Sequence, residues 1–397
     1  MAQLKDVSLA GKKVLVRVDF NVPLNDNFEI TDDNRIRAAL PTIQKVLQDG
    51  GKLILMSHLG RPKNGPEHRF SLSHIKEHLS KLTGAKVHFV EDCIGSSVSK
   101  ALQELNDGEI LLLENVRFYS EETKGDESFA KALSEHGDVY INDAFGTAHR
   151  AHASTTIVAK HFNADARFFG FLMDKEVQNA RRVIEGSQKP FTAIIGGAKV
   201  SDKIEIIENL LNSADNIIIG GGMAYTFFKA QGGNVGSSLV EDEKLDLANE
   251  IIHRANIKGV KILLPTDSVV ADQFSNDANI SQSENMNIKD GWMGLDIGPE
   301  AVAIFSDVIS NSRTVLWNGP MGVFEMSNFE LGTKSVAEAL AKATLNGAFT
   351  LIGGGDSAAA IKKFDLVDDV SYVSTGGGAL LEFFEGKVLP GIAAIEA

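Results

Sequence analysis

The sequence predicts an α/β protein in two halves, each built on a mostly parallel sheet, and three observations carry that expectation. The chain has 397 residues, 43% of them apolar and 23% charged, long for one core and apolar enough for two. Short β-branched runs recur along it and alternate with segments of helical period. The runs are apolar throughout rather than at every second position, as strands covered on both faces are.

In the first half, strands are expected at 14–18, 53–56, 87–90, 110–113 and 139–141. In the second half they are expected at 191–195, 217–219, 262–264, 314–317, 349–352 and 371–373. Leu40, Ile43, Val46 and Leu47 form one helical stripe between strands, and Ile204, Ile207, Leu210 and Leu211 another. Alternation of this kind builds right-handed βαβ units and hence parallel sheets. A helical pattern over 171–186, closed by Gly186 and Pro190, is the candidate join between the halves, although an ordinary crossover helix has the same pattern. The polar stretch 271–289 reads as a long connection or insertion.

A net charge of −14 argues against nucleic acid as a partner, because a duplex binder needs a broad basic face. The lone cysteine, Cys93, rules out an intramolecular disulfide framework. The chain starts Met1-Ala2-Gln3-Leu4-Lys5-Asp6, without an apolar signal core, and no apolar run approaches the ~20 residues that span a bilayer. A soluble cytoplasmic protein with no membrane partner is expected.

The ends of the first-half strands run into polar residues: Asp19-Phe20-Asn21, Ser57-His58-Leu59-Gly60-Arg61, Glu114-Asn115-Val116-Arg117, and Asn142-Asp143 with His149-Arg150 beyond. Ligands bind at the carboxyl edge of open parallel sheets. A solvated loop arginine paired with an acid explains any one of Arg61, Arg117 and Arg150. Three after strand ends in one half point to a shared polyanion, since clustered guanidiniums repel and bind phosphate bidentately.

The second half places glycines where strands meet helices: Gly196-Gly197-Ala198-Lys199, Gly220-Gly221-Gly222, Gly353-Gly354-Gly355-Asp356-Ser357 and Gly376-Gly377-Gly378. Glycine lets backbone approach a ligand, and the next helix offers free N–H groups to an anion. Tight packing turns explain one such run; four favour a nucleotide's phosphate chain. Lys199 and Lys203, four apart at a helix start, are expected to share a face. Asp356 reads equally as a helix cap or as a Mg²⁺ ligand. His74 and His78 lack a zinc-site context, Cys93 reads as inert and Trp317 as core. No G-x-x-x-x-G-K-[S/T], G-x-G-x-x-G or protein-kinase loop is present.

Together these segments become specific. Arg17-Val18-Asp19-Phe20-Asn21-Val22-Pro23-Leu24 resembles the signature octapeptide of phosphoglycerate kinases. The resemblance continues, in family order, through Ser57-His58-Leu59-Gly60-Arg61-Pro62, Asn142-Asp143-Ala144-Phe145-Gly146-Thr147-Ala148-His149-Arg150 and Gly196-Gly197-Ala198-Lys199-Val200-Ser201-Asp202-Lys203. Trp317-Asn318-Gly319-Pro320-Met321-Gly322-Val323-Phe324-Glu325 and Gly353-Gly354-Gly355-Asp356 complete it over essentially the whole chain. It implies a monomeric glycolytic kinase that reversibly transfers the acyl phosphate of 1,3-bisphosphoglycerate to ADP, giving 3-phosphoglycerate and ATP with Mg²⁺.

The implied fold is two Rossmann-like three-layer (αβα) lobes with mostly parallel sheets facing an interdomain cleft. A phosphoglycerate-binding domain would span 1–170, an interdomain helix 171–186 and a nucleotide-binding domain 187–388, with 389–397 returning to the first domain. By motif, Asp19, Asn21, Arg35, His58, Leu59, Gly60, Arg61, Arg117 and Arg150 would hold the glycerate. Gly197, Ala198, Lys203, Gly294, Asn318, Glu325, Gly353, Gly354, Gly355, Asp356 and Ser357 would hold ADP or ATP, Asp356 serving the metal. Arg35, Lys199, Gly354 and Gly377 would meet the transferring group. Ser357 stands where many members carry Thr, which keeps the hydroxyl. The loop 62–70 and the polar stretch up to 291 receive no role. Two rivals are a dinucleotide oxidoreductase, weakened by the missing fingerprint, and a non-catalytic nucleotide-binding or adhesion protein, which has no use for Arg35, Lys199, Lys203 and Asp356 together.

Overall fold

Strand β1 (Lys13–Val18) has Val14, Leu15, Val16 and Val18 at zero exposure, so both of its faces are covered. The computed structural model describes residues 3–63 and 65–397; Met1 and Ala2 of the N-terminal reading and Asn64 of the loop 62–70 lie outside them. Further strands follow as β2 (Lys52–Met56), β3 (Val87–Phe89), β4 (Ile110–Leu112), β5 (Val139–Asp143) and β6 (Arg167–Phe169). They form one parallel sheet in the order β3-β4-β2-β1-β5-β6.

The unbroken apolar character of these strands has a direct cause. Alternate residues feed different cores: Leu53 and Leu55 pack with Val14, Val16 and the helix residues Ile36, Ala39 and Ile43, while Ile54 and Met56 pack with Leu15, Leu111 and Tyr140 on the other side. The helix over Asn34–Gln48 begins with Arg35 in its first turn and carries the expected stripe.

The second sheet repeats the plan. Its strands are β7 (Phe191–Ile195), β8 (Asn216–Ile219), then, after the two-residue β9 (Asn234–Val235), β10 (Lys261–Leu263). A side sheet of β11 (Asp267–Ala271), β12 (Ile280–Glu284) and β14 (Met293–Ile297) interrupts, and the short β13 (Asn287–Ile288) pairs with β9. The main sheet closes with β15 (Thr314–Asn318), β16 (Phe349–Gly353) and β17 (Tyr372–Val373), in the parallel order β10-β8-β7-β15-β16-β17. Trp317 is fully buried in its core, as expected.

The molecule divides into two compact units, one running to Gln178 and taking in Val388–Ala397, the other Asn179–Lys387. The helix Phe171–Ile184 contains the division. In the first unit the C-terminal helix Pro390–Glu396 is held by Gly391 N–H donating to Ala148 O at 2.8 Å. Each unit is a mostly parallel sheet with helices, so the α/β expectation holds for both.

Two expectations need correction, and some strands go unpredicted. The stretch 271–289 is not a plain connection: β12 and β14 flank β11 in an antiparallel sheet. Its signal is weak because Ile280–Glu284 is almost entirely exposed and polar. β6 and the short β9 and β13 also escaped notice, two or three residues being too few for a period. Finally, Lys199 and Lys203 do not share a helix face, since the helix starts only at Ile204 and Lys203 stands at its N-cap. Among the described residues, no helix is long and apolar enough to cross a membrane.

Candidate active site

In the first sheet β1 leads to β2 on one side while β5 leads to β6 on the other, so the crevice between β1 and β5 is a switch point. The residues leaving the carboxyl ends of β1 and β2 knit together there. Arg35 Nη1 donates to Asp19 Oδ2 at 2.8 Å, and Asn21 N–H donates to Asp19 Oδ1 at 3.1 Å. Asn21 Oδ1 accepts from Gly60 N–H at 2.8 Å, which leaves its NH₂ as the group to meet a ligand. Leu59 O accepts from Asn115 Nδ2 at 2.7 Å, and Gly60 O accepts from Arg117 Nη1 at 2.8 Å.

Gly60 is required twice over. Its φ of +63° is left-handed, and a Cβ would come 2.3 Å from the Phe70 ring. Arg61, Arg117 and Arg150 line one cavity of about 550 Å³ with Lys63 and His152. The bond from Arg117 to Gly60 O joins this cationic cavity to the constellation around Asp19.

The charges here are strongly coupled. Burial lowers Arg117 to a pKa of about 10, helped by Arg17 and Arg150, and its Nε is buried without a hydrogen-bond partner. Burial also holds His58 well below the usual imidazole range, with Arg17, Arg117 and Arg35 acting in the same direction. Asp19 is opposed by burial, yet the Arg35 and Arg17 guanidiniums and the Asn21 N–H keep its carboxyl below the ordinary value. A carboxylate, a neutral imidazole and several guanidiniums thus share a site with an excess of positive charge, which a small polyanion would balance.

Sequence reasoning missed three residues of this site. Arg17 is fully buried within β1, where it read only as part of an apolar run. Glu122 is also fully buried, and His152, on the cavity wall, is lowered by burial to about 4 with the help of Arg117, Arg17 and Arg150. A charged residue in an otherwise apolar strand was the available signal for Arg17.

The second sheet has its own switch point, between β7 and β15. Gly196 and Gly319 are forced there by contact: a Cβ on Gly196 would lie 2.1 Å from Pro320 O, and one on Gly319 2.2 Å from Gly196 O. Lys203 Nζ donates to Asn318 Oδ1 at 2.6 Å, and Asn318 Nδ2 donates to Gly353 O at 2.8 Å. Gly319 N–H donates to Ser357 Oγ at 2.6 Å, so the hydroxyl at position 357 ties β15 to the helix Gly355–Lys363. Burial lowers the Lys203 pKa, against the pull of Asp202, Asp356 and Glu385.

A cavity of about 520 Å³ opens beside these residues, lined by Gly197, Ala198, Gly294, Glu325 and Asp356 of the expected set, with Leu239, Phe274 and Met293. Glycine backbone, apolar side chains and the three carboxyl groups of Asp296, Glu325 and Asp356 suit a flat heterocycle with a phosphate tail and its metal. Gly294 admits no side chain, since its Cβ would meet the Tyr225 hydroxyl at 1.8 Å. Asp356 is exposed in the first turn of Gly355–Lys363 but does not cap it; the N-cap is Gly354, with φ +91°. Lys199 is exposed in the loop after β7 and Gly377 is the N-cap of Gly378–Phe384, and neither lines the cavity.

Among the described residues, no group of three or more His, Cys, Asp or Glu could cage a metal ion. Asp356 on the cavity wall fits the other mode, in which Mg²⁺ is held by one carboxylate, water and substrate phosphate. His74 and His78 are committed elsewhere, Nε2 of His74 to His68 O at 2.7 Å and Nε2 of His78 to Asp33 at 2.8 Å. Cys93 is buried, donates to Glu114 O at 3.0 Å and is pushed well above the usual thiol range by burial.

Comparison with known proteins adds an independent line. A family model described as phosphoglycerate kinase matches residues 4–387. The chain is 55% identical to the phosphoglycerate kinase of Porphyromonas gingivalis, over 99% of each chain. It is 53% identical to a phosphoglycerate kinase of Nicotiana tabacum named as cytosolic, over 100% of this chain and 98% of that one. Among solved structures it is similar to phosphoglycerate kinase from Coxiella burnetii, with a TM-score of 0.91 and 41% identity over 100% of this chain and 98% of that one.

Proposed function

The chain belongs to the phosphoglycerate kinase family, and from that premise we propose which of its residues carry out the reaction. It is a phosphotransferase of glycolysis, reversibly passing the acyl phosphate of 1,3-bisphosphoglycerate to ADP to give 3-phosphoglycerate and ATP. Asp19, Asn21, Arg35, His58, Leu59, Gly60, Arg61, Arg117 and Arg150 hold the glycerate. The observation that carries this assignment is the hydrogen-bonded set from Arg35 through Asp19 to Arg117, abutting a cavity lined by three arginines. Its positive excess matches a ligand bearing phosphate and carboxylate.

The nucleotide is held by Gly197, Ala198, Lys203, Gly294, Asn318, Glu325, Gly353, Gly354, Gly355, Asp356 and Ser357. The apolar cavity takes the base, while Lys203 and the helix start at Gly355 take phosphate. Asp356 would hold Mg²⁺, which would supply positive charge to offset that of the phosphate chain. The transferring phosphoryl group spreads negative charge over its equatorial oxygens, so catalysis here is positioning and charge stabilisation. Arg35 and Lys199 are the cations assigned to it, with N–H groups at Gly354 and Gly377 supporting. No protein nucleophile is required.

Calorimetry tests the assignment. Arg61→Ala should weaken 3-phosphoglycerate at least tenfold and leave ADP within twofold, and Lys203→Ala the reverse; equal losses for both ligands in either variant would break it. The same reading makes the protein a cytoplasmic monomer, supported by a single, buried cysteine that calls for no oxidising compartment. Sedimentation equilibrium returning twice the chain mass of 42.8 kDa would remove the monomer.

A further inference from the structure

Behind the glycerate-binding residues runs a continuous buried relay. Glu122, at zero exposure, accepts from Ser154 N–H at 2.8 Å and from Ser154 Oγ–H at 2.6 Å. Ser154 Oγ, having spent its only proton on Glu122, accepts from Arg17 Nε at 2.8 Å. Arg17 also donates through Nη1 to Val18 O, and its Nη2 lies 3.1 Å from His58 Nδ1. Glu122, Ser154 and Arg17 are fully buried, and His58 is 3% exposed.

Two consequences follow from donor and acceptor inventory. A guanidinium has no lone pair to accept with, so His58 Nδ1 must be the acceptor and the ring proton sits on Nε2. Arg17, taken wholly out of water, needs a counter-charge, and Glu122 supplies it through Ser154. The bond from Ser154 N–H to Glu122 also ties down the turn Ala153–Ile157, which directly follows Arg150 and His152. One buried carboxylate therefore holds both Arg17 and the segment that brings Arg150 to the cavity.

We infer that Glu122 and Ser154 are positioning residues for glycerate binding, acting through Arg17 to fix the Nε2–H tautomer of His58 so that the imidazole donates to the substrate. This rests on the assignment of the glycerate to the first unit. It predicts that substrate recognition depends on two residues outside the cluster of strand-end arginines.

The test uses the full-length enzyme with ¹⁵N-labelled histidine. Wild type should show His58 as a single tautomer, protonated at Nε2 and perturbed by 3-phosphoglycerate. Ser154→Ala and Glu122→Gln should lose that single tautomer and weaken 3-phosphoglycerate about tenfold or more, with ADP affinity within twofold. Ser154→Thr, which restores the hydroxyl, should recover both properties; recovery separates positioning from general loss of fold. Variants that keep the wild-type tautomer and 3-phosphoglycerate affinity would overturn the inference. A His58 signal that 3-phosphoglycerate leaves unmoved in wild type would overturn instead the site assignment on which it rests.

Discussion

Arg35 shows how a residue's surroundings decide its reading. From sequence it sits beside Arg37 at a helix start and looks like an ordinary surface charge. The structure turns its guanidinium onto Asp19 at 2.8 Å while 41% of the side chain stays exposed, whereas Arg37 pairs with Asp33 on its own helix. Arg35 is thus held in place and still open to a ligand. Arg35→Ala should lower kcat by ~10³–10⁵, the worth of a transition-state arginine. Steady-state turnover within tenfold of wild type would remove it from that role. Gly60→Ala tests a backbone position: the added methyl meets Phe70, so the KM for 3-phosphoglycerate should rise and stability fall by about 1–3 kcal/mol. An unchanged KM together with an unchanged urea midpoint would contradict the strained turn.

A buried carboxylate gives a pH test at the same scale. Burial raises Asp296 to a pKa of about 7, although it accepts from Gly332 and Ile297 N–H groups. Its folded pKa lies above the unfolded value near 4, so the folded state binds more protons between them, and stability falls as pH rises from about 4 to 7. Asp296→Asn removes this term. Wild-type stability relative to the variant should decline by about 1.4 kcal/mol per pH unit across that window and level off above it. Any constant cost of the substitution cancels from the slope. A flat difference in urea denaturation across the window would mean that Asp296 is not held protonated.

At the scale of elements, the two switch points do the same work with different materials. Between β1 and β5 the crevice is polar and held by side chains; between β7 and β15 it is backbone, held by glycine contacts and the line from Lys203 through Asn318 to Gly353. Gly196→Ala would drive a methyl into Pro320 O and separate those two strand ends. ADP affinity should drop at least tenfold with 3-phosphoglycerate affinity unchanged, and calorimetry showing normal ADP binding would refute the close-packed turn. Legibility in the sequence followed the same division. Central strands were visible because their two faces feed two cores, as Leu53 and Ile54 do. The β11–β12–β14 sheet was not, because Ile280–Glu284 has one polar, exposed strand's worth of signal. Strand-end arginines were legible as loop cations after apolar runs. Arg17 and Glu122 were hidden, because their roles depend on long-range contacts to Ser154 that no local pattern encodes.

For the whole molecule, the two anion sites proposed, one in each unit, imply a reaction that needs both loaded. The unit boundary falls within a single helix, Phe171–Ile184. Its start is pinned from the first unit, Phe171 N–H donating to Thr42 Oγ1 at 2.8 Å and Met173 N–H to Asp143 Oδ1 at 3.1 Å. Thr42 belongs to the same helix as Arg35. More directly still, the chain transfers a phosphoryl group between the glycerate and the nucleotide. A coupled assay with ATP, Mg²⁺ and 3-phosphoglycerate should give turnover that vanishes when any one is omitted and falls by orders of magnitude in Arg35→Ala. Nucleotide binding without turnover would contradict it.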